Sequence, residues 1–485
     1  MKKRALYFLL SCAGSIICGS CNHYLDVKPK DQYLQDKVFS NEATIHEALN
    51  GIYLRMASPT LYGKELTMGI IDVMGQYYNL QDYHLSGITS AHQRISQASY
   101  AYQDTSVANP FSRAWQDSYT SILNINSFIG RLKGTMSVIS ETQKSLLLGE
   151  AYGLRAFLHF DLLRMFGPVY AEDSGALSIP YMVKATDAVQ PLLPASAIAD
   201  SIGKDIQQSL LNLQQDPVRG SNSKGFAELA SQPFFQHRDR RFNYYAAQLL
   251  QARVNLYTGH KQEALEVAES LISEAAAVFP WDPDPATPDE IDPIFPGGII
   301  FNLPQPTLRQ QYLNLFESSL PFETLLMPDQ TRLFSLYKYN LSDYYYISQW
   351  TTVPSSSNPY VLFIKYRPAT IQPDASTAGI PLSRLSEAYY IVAECTQSKL
   401  KAIDCLNQVR KHRGEILLNE GVDLGNELLN AYLREFWGEG QLFYFFKRNN
   451  LAQIPNGRGA ANSLNMDKNR YVVPLPLVET QRRGS

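Results

Sequence analysis

The chain is poor in cysteine, in excess basic charge and in long apolar runs, and each shortage removes a class of protein. Five cysteines occur in 485 residues, at positions 12, 18, 21, 395 and 405. Three fall in the first twenty-one residues, so the rest of the chain carries neither a disulfide framework nor a cysteine-based metal site. Lysine and arginine (43) are outnumbered by aspartate and glutamate (46). With no basic surplus to neutralise phosphates, nucleic acid is not an expected partner. No run of eighteen apolar residues occurs after the N-terminus, so no membrane-spanning helix is expected there. The eight histidines (23, 46, 84, 92, 159, 237, 260 and 412) are scattered, with no helical i, i+4 pair beside a glutamate. A Gly-x-Ser-x-Gly elbow and a phosphate-cradling glycine loop are both missing. No catalytic residues, metal or cofactor are therefore assigned, and the chain is not read as an enzyme.

What is present begins at the N-terminus. Lys2, Lys3 and Arg4 precede an apolar stretch from Ala5 to Ile17, and Gly19-Ser20-Cys21 closes it. A basic start, a short apolar core and small residues at its end describe a secretory signal over residues 1–20. Its removal takes the formal charge from −3 to −6. Cys12 leaves too short an apolar core before it, and Cys18 follows the bulky Ile17. Cys21 follows small residues and resembles the modified cysteine of a bacterial lipobox, although Cys18 stands where such motifs usually carry leucine. The expectation is a lipoprotein that begins at a diacylglyceryl-modified Cys21. Ordinary secretion with Cys21 as a thiol is the alternative.

Several segments have helical periodicity. Ile45, Leu49, Ile52 and Met56 recur at three- and four-residue steps after a Ser40 or Asn41 cap. Asn109-Pro110 predicts a helix opening that carries Trp115, Tyr119, Ile122 and Ile129. A helix over 145–166, apolar on two faces and stopped by Gly167-Pro168, is predicted to be buried. Residues 243–273 form a hairpin broken at Gly259, with Ala252, Gly259 and Ala264 at the spacing of small residues in a tetratricopeptide repeat. A second hairpin runs over 384–413, broken near Ser398-Lys399. The expected fold is mainly α, with irregular helical hairpins forming a scaffold over about 40–275 and 383–414. Proline-dense sequence from Pro280 to Pro306 excludes regular helix, so 276–381 and 415–485 are expected to be loop-rich with minor β-strands.

At this point the sequence resembles the SusD/RagB family of surface nutrient-binding lipoproteins of Bacteroidetes. The opening Cys21-Asn22-His23-Tyr24-Leu25-Asp26-Val27-Lys28-Pro29-Lys30-Asp31 carries the resemblance, as do Gly149-Glu150-Ala151, Leu154-Arg155-Ala156 and Phe166-Gly167-Pro168. It continues through Arg384 to Tyr389 with Ala393-Glu394, then Leu406 to Arg410 and Gly414. Glu435-Phe436, Glu439-Gly440 and Pro474-Leu475-Pro476 with Glu479 complete it. Leu442 and Phe445 replace the arginine and aspartate usual after Glu-Gly, and Ala431-Tyr432 replaces a Glu-Arg pair, while Arg448 is kept. The resemblance implies one SusD-like α-helical domain over 21–485, with tetratricopeptide-like units. It also implies attachment to the cell outer membrane facing the exterior, and a SusC-like TonB-dependent transporter as partner. The implied role is non-catalytic capture of oligosaccharide or polysaccharide. A RagB-like peptide-binding role is the alternative, and a surface glycoside hydrolase the third reading.

Sugar binding calls for aromatic faces as well as polar groups. Tyrosine is the commonest aromatic residue (30), ahead of phenylalanine (22). Trp115 and Trp437 sit among apolar helical partners and read as core. Tyr77, Tyr78, Tyr83, Trp281, Tyr345 and Trp350 lie in loop-like sequence and are the candidate ligand-binding residues. The acidic run Asp282, Asp284, Asp289, Glu290 and Asp292 offers oxygen ligands to calcium, but its spacing does not match an EF-hand, and a solvated loop is preferred. Cys395 and Cys405 are read as free buried thiols, with a bridge across the hairpin left open.

Overall fold

Asn41 caps the first helix described in the computed structural model: its Oδ1 accepts the Thr44 N–H at 3.0 Å. The structure describes residues 39–484 except 81–82, 86–87, 91, 135–137, 339, 341, 355–358, 368–378 and 460–461. Cys21 and the signal segment lie outside them. Helix makes up 55% and strand 7%, so the fold is mainly α as expected.

Helix α1 (Glu42–Met56) turns Ile45, Leu49, Ile52 and Met56 inward. Helix α2 spans Thr105–Gly134 and starts a turn earlier than Asn109-Pro110 suggested. Asp104 opens it by accepting the Ser106 N–H at 2.8 Å. Pro110 therefore lies inside the helix, where it cannot donate to the Ser106 carbonyl. The Gln97 side-chain amide takes that carbonyl at 2.9 Å. The early start is tolerated because the freed acceptor has a substitute donor.

Helix α3 (Glu141–Phe166) begins with a Ser140–Gln143 capping box and is buried on nearly every side. Helix α4 (Ala195–Asn212) packs against it. Glycine permits the close approach. A Cβ at Gly153 would stand 2.8 Å from Ser209 Oγ in α4 and 2.1 Å from the Phe242 ring, and one at Gly149 2.7 Å from Leu213 just beyond α4. Buried charges in α3 are paired: Arg155 forms a two-pronged contact with Asp205 (2.6 Å each), and Glu150 accepts from Arg238 and Tyr53. His159 is fully buried and hydrogen-bonded on both nitrogens. It accepts from the Met182 N–H, and burial lowers its pKa to about 3, so it is a neutral interior group.

The predicted hairpins form. Helices α5 (Tyr244–Tyr257) and α6 (Lys261–Ala275) meet at Gly259, which has φ +84°. Between strand β1 (Ile299–Pro304) and the later hairpin lie helix α7 (Gln330–Leu336) and a β-hairpin of β2 (Trp350–Val353) and β3 (Tyr360–Phe363). Strand β4 (Gly379–Arg384) pairs antiparallel with β1 and leads into helix α8 (Leu385–Cys395). Helix α9 (Lys399–Lys411) folds back on α8, and α6 packs on α8, so the two hairpins share a flank. The segment 415–485 is more helical than expected, because α10 (Leu424–Glu435) and α11 (Leu442–Arg448) bury Tyr432, Phe436 and Phe445 against one another. The main cluster of buried apolar side chains extends from Ile45 to Val473, with Leu325, Met327 and Leu362 forming a small one beside it.

Candidate functional site

Four of the six candidate aromatics are core residues. Tyr77 is 0% exposed, Tyr78 and Tyr345 2%, and Trp350 6%. Three of them converge on Trp437: the Tyr77 ring lies 4.2 Å from it, Trp350 meets it edge-on at 4.6 Å, and Tyr78 at 5.9 Å. Trp437 itself is buried, as is Trp115, both as read from the sequence. The Tyr345 hydroxyl donates to Glu435 and accepts from Arg413 Nε at 2.6 Å. Burial holds the Tyr77, Tyr78 and Tyr345 hydroxyls well above their ordinary pKa. The expectation of an open stacking platform at Tyr77, Tyr78, Tyr345 and Trp350 is corrected: their faces are covered by other rings, and burial of apolar area decides their place. Trp281 is half-buried, stacked on His412 at 5.0 Å, with the Arg413 guanidinium 5.3 Å from its ring. Tyr83 lies in a short β-hairpin, and its side chain is outside the described residues.

The acidic loop residues serve their own backbone. Asp282 accepts from the Gly297 N–H, Glu290 from Ala286 and Asp292 from Ile294, each at 2.9 Å. No three metal-ligating side chains converge among the described residues. Cys395 and Cys405 are both free, and burial raises each thiol to about 11.

The Tyr77–Trp437 pair nevertheless floors a cleft of about 420 Å³ whose walls come from distant parts of the chain. Helix α7, capped by Asp329 through the Arg332 N–H at 2.8 Å, forms one wall. Helix α10 forms the other with Asn430 and Leu433. The Asn79 N–H donates to the Met327 carbonyl at 2.8 Å and Arg332 Nη1 to the Gln76 carbonyl, which ties the floor to the α7 wall. Gln76 and Lys338 both adopt left-handed backbone, with φ +59° and +51°. Such conformations are uncommon for residues with side chains and cluster where a site over-determines them.

The rim is polar and partly unspent. The Asn430 side-chain amide forms no hydrogen bond to the protein among the described residues. Lys338 Nζ lies 3.3 Å from Glu427 on a side chain that is 56% exposed. Asp329 is the only carboxylate lining the cleft among the described residues. Amide, carboxylate and cationic groups around a cleft backed by buried rings suit a ligand rich in hydroxyls. Retaining or inverting hydrolysis needs two carboxyl groups across the scissile bond, and this cleft supplies one. A second depression, about 310 Å³, separates α2 from the C-terminal helix Leu477–Arg482. There Arg483 is already committed to Glu479 and to the Gln190 carbonyl.

Sequence reasoning missed Asn430, Asp329, Arg332 and Lys338. They sit in ordinary amphipathic segments, and no local pattern marks them.

Residues 23–218 match the SusD-like family described as "Starch-binding associating with outer membrane". SusD-like protein P2 of Formosa agariphila is 23% identical over 552 aligned residues, covering all of this chain and 98% of the relative. A SusD superfamily protein from Bacteroides thetaiotaomicron shares the fold with a TM-score of 0.70 at 20% identity, over 92% of this chain and 97% of the other. A laminarin-binding SusD-like protein superposes with a TM-score of 0.64 at 17% identity, over 91% and 97%. The N-terminal part of the chain, residues 23–218, is thus similar to the SusD-like family, and the fold is the one seen in SusD superfamily structures along nine-tenths of the chain.

Proposed function

We propose that the chain captures oligosaccharide or polysaccharide at the cell surface without cleaving it and passes it to a SusC-like TonB-dependent transporter in the outer membrane. The anchor in this reading is the lipid on Cys21, which places the helical body on the exterior face. The observation that carries the reading is the unspent Asn430 amide beside Asp329 and above the Tyr77–Trp437 floor. A half-buried amide with no protein partner is free to exchange its water contacts for a ligand hydroxyl. The laminarin-binding neighbour and the starch-binding family description support a glycan over a peptide.

The test is affinity electrophoresis of the mature chain against a polysaccharide panel, run beside a product assay on the same polymers. Retardation without released sugar supports the proposal. Release that stops on Asp329→Asn would make the chain a hydrolase. Mass spectrometry of the mature N-terminus tests the anchor separately, with a diacylglyceryl-modified Cys21 expected and a lipid-free terminus elsewhere contradicting it.

A further inference from the structure

The cleft wall holds a guanidinium, Arg332, that forms no close ion pair, although the Asp329 carboxylate acts on it from a distance. Each fully buried arginine among the described residues has a carboxylate within 4 Å, as with Arg155 and Asp205 (2.6 Å), Arg253 and Glu387 (2.5 Å), and Arg434 and Glu427 (2.7 Å). Arg332, half-buried in the cleft wall, has none. Its Nη1 donates to the Gln76 carbonyl, and its Nη2 is shielded from solvent with no partner. The nearby Asp329 spends Oδ1 on the Arg332 backbone N–H and forms no ion pair with the guanidinium. Electrostatics agree with this geometry. Burial lowers Arg332 to about 10, whereas facing carboxylates hold Arg384 and Arg434 above the ordinary arginine value.

Removing a guanidinium from water without a counter-charge is costly, and interiors normally pair it. The arrangement is built, not incidental, since the left-handed backbone at Gln76 aims its carbonyl at Nη1. Arg332 is planar and presents its donors in a fork that fits carboxylate or sulfate oxygens. Lys338 adds a second cation at the rim, partly shared with Glu427. We propose that this cleft takes glycans bearing a carboxylate or a sulfate, and that the ligand anion completes an ion pair with Arg332. In this reading Nη1 keeps the Gln76 carbonyl, the unpartnered Nη2 edge of Arg332 takes the anion, and Asn430 holds a neighbouring hydroxyl. The inference rests on the glycan-capture reading and narrows its ligand class.

The experiment measures binding of the mature chain to three polymers: laminarin (neutral), polygalacturonate (carboxylate) and carrageenan (sulfate). Wild type, Arg332→Gln, Arg332→Lys and Asn430→Ala are compared, with thermal unfolding as the folding control. The expected result is a preference for one acidic polymer over laminarin of about tenfold or more, eliminated in Arg332→Gln and partly kept in Arg332→Lys. That binding weakens as salt rises above about 0.15 M, because the pair is reached from solvent. Polygalacturonate and carrageenan separate the two sources of the anion. Laminarin bound as well as the acidic polymers, lost on Asn430→Ala and unchanged in Arg332→Gln, overturns the anionic ligand and leaves glycan capture standing. Failure of all three polymers to bind overturns the capture reading and the inference with it. Should Arg332→Gln fail to fold, the loss or retention of the preference in Arg332→Lys decides.

Discussion

Asp72 accepts the backbone N–H of Gly438 at 2.7 Å through one carboxylate oxygen, and its other oxygen accepts Gly440 at 3.0 Å. Both glycines have positive φ (81° and 69°), and a Cβ at Gly440 would stand 2.2 Å from the Leu66 carbonyl. This stitch joins the chain just before Tyr77 to the chain just after Trp437, the two rings that floor the cleft. Asp72→Ala leaves two buried amides without acceptors and is expected to cost about 2–3 kcal/mol. Chemical denaturation checks it. An unchanged midpoint would show that the join does not depend on the carboxylate.

The Gln97–Ser106 contact makes a second prediction. Gln97→Leu is expected to destabilise by about 1 kcal/mol by orphaning the carbonyl that Pro110 cannot serve. In a Pro110→Ala background the restored N–H can use that carbonyl, so the same change should cost less. A double-mutant cycle measures the difference, and additivity would refute the account.

Helices α2 and α3 tolerate added bulk unequally. Gly153→Ala pushes a Cβ into the Phe242 ring and should destabilise by about 1–3 kcal/mol. Gly130→Ala in α2, where nothing lies within 4 Å of the new Cβ, should be neutral or stabilising by up to about 1 kcal/mol. Thermal melts of the two variants test the ranking.

Asp343 caps the short helix Tyr344–Gln349 and is 2% exposed. Burial first, then the Glu415 carboxylate, raise its pKa from 3.8 to about 8. A carboxyl whose pKa is raised on folding contributes most below its unfolded value and loses that contribution as pH rises through about 8. Wild type should therefore lose stability from pH 4 to pH 8 relative to Asp343→Asn, which cannot ionise. The difference in melting temperature between the two, followed across that range, checks the sign. A difference independent of pH would contradict it.

Much of the fold was legible because local signals agreed with tertiary need. Asn243, Gly259 and the apolar period fix α5 and α6, and Ser398 marks the start of α9. The start of α2 is not legible at Asn109-Pro110, because Gln97, outside the helix, serves the Ser106 carbonyl that Pro110 cannot. The cleft was legible only in its floor. Tyr77 stands out in the sequence for its chemistry, as does Trp350 outside the cleft, but tyrosine and tryptophan have the same sequence appearance whether a ring faces water or another ring. Asn430 belongs to the site through an amide with no protein partner and Arg332 through the want of a close carboxylate, and both depend on every neighbour in space.

The most direct test of the account compares wild type with Asn430→Ala and Trp281→Ala by affinity electrophoresis on a polysaccharide that retards the wild type. The cleft reading predicts that Asn430→Ala loses most of the retardation, about tenfold in affinity, while Trp281→Ala keeps it. Loss of retardation in Trp281→Ala with Asn430→Ala unaffected would place capture elsewhere and contradict the account.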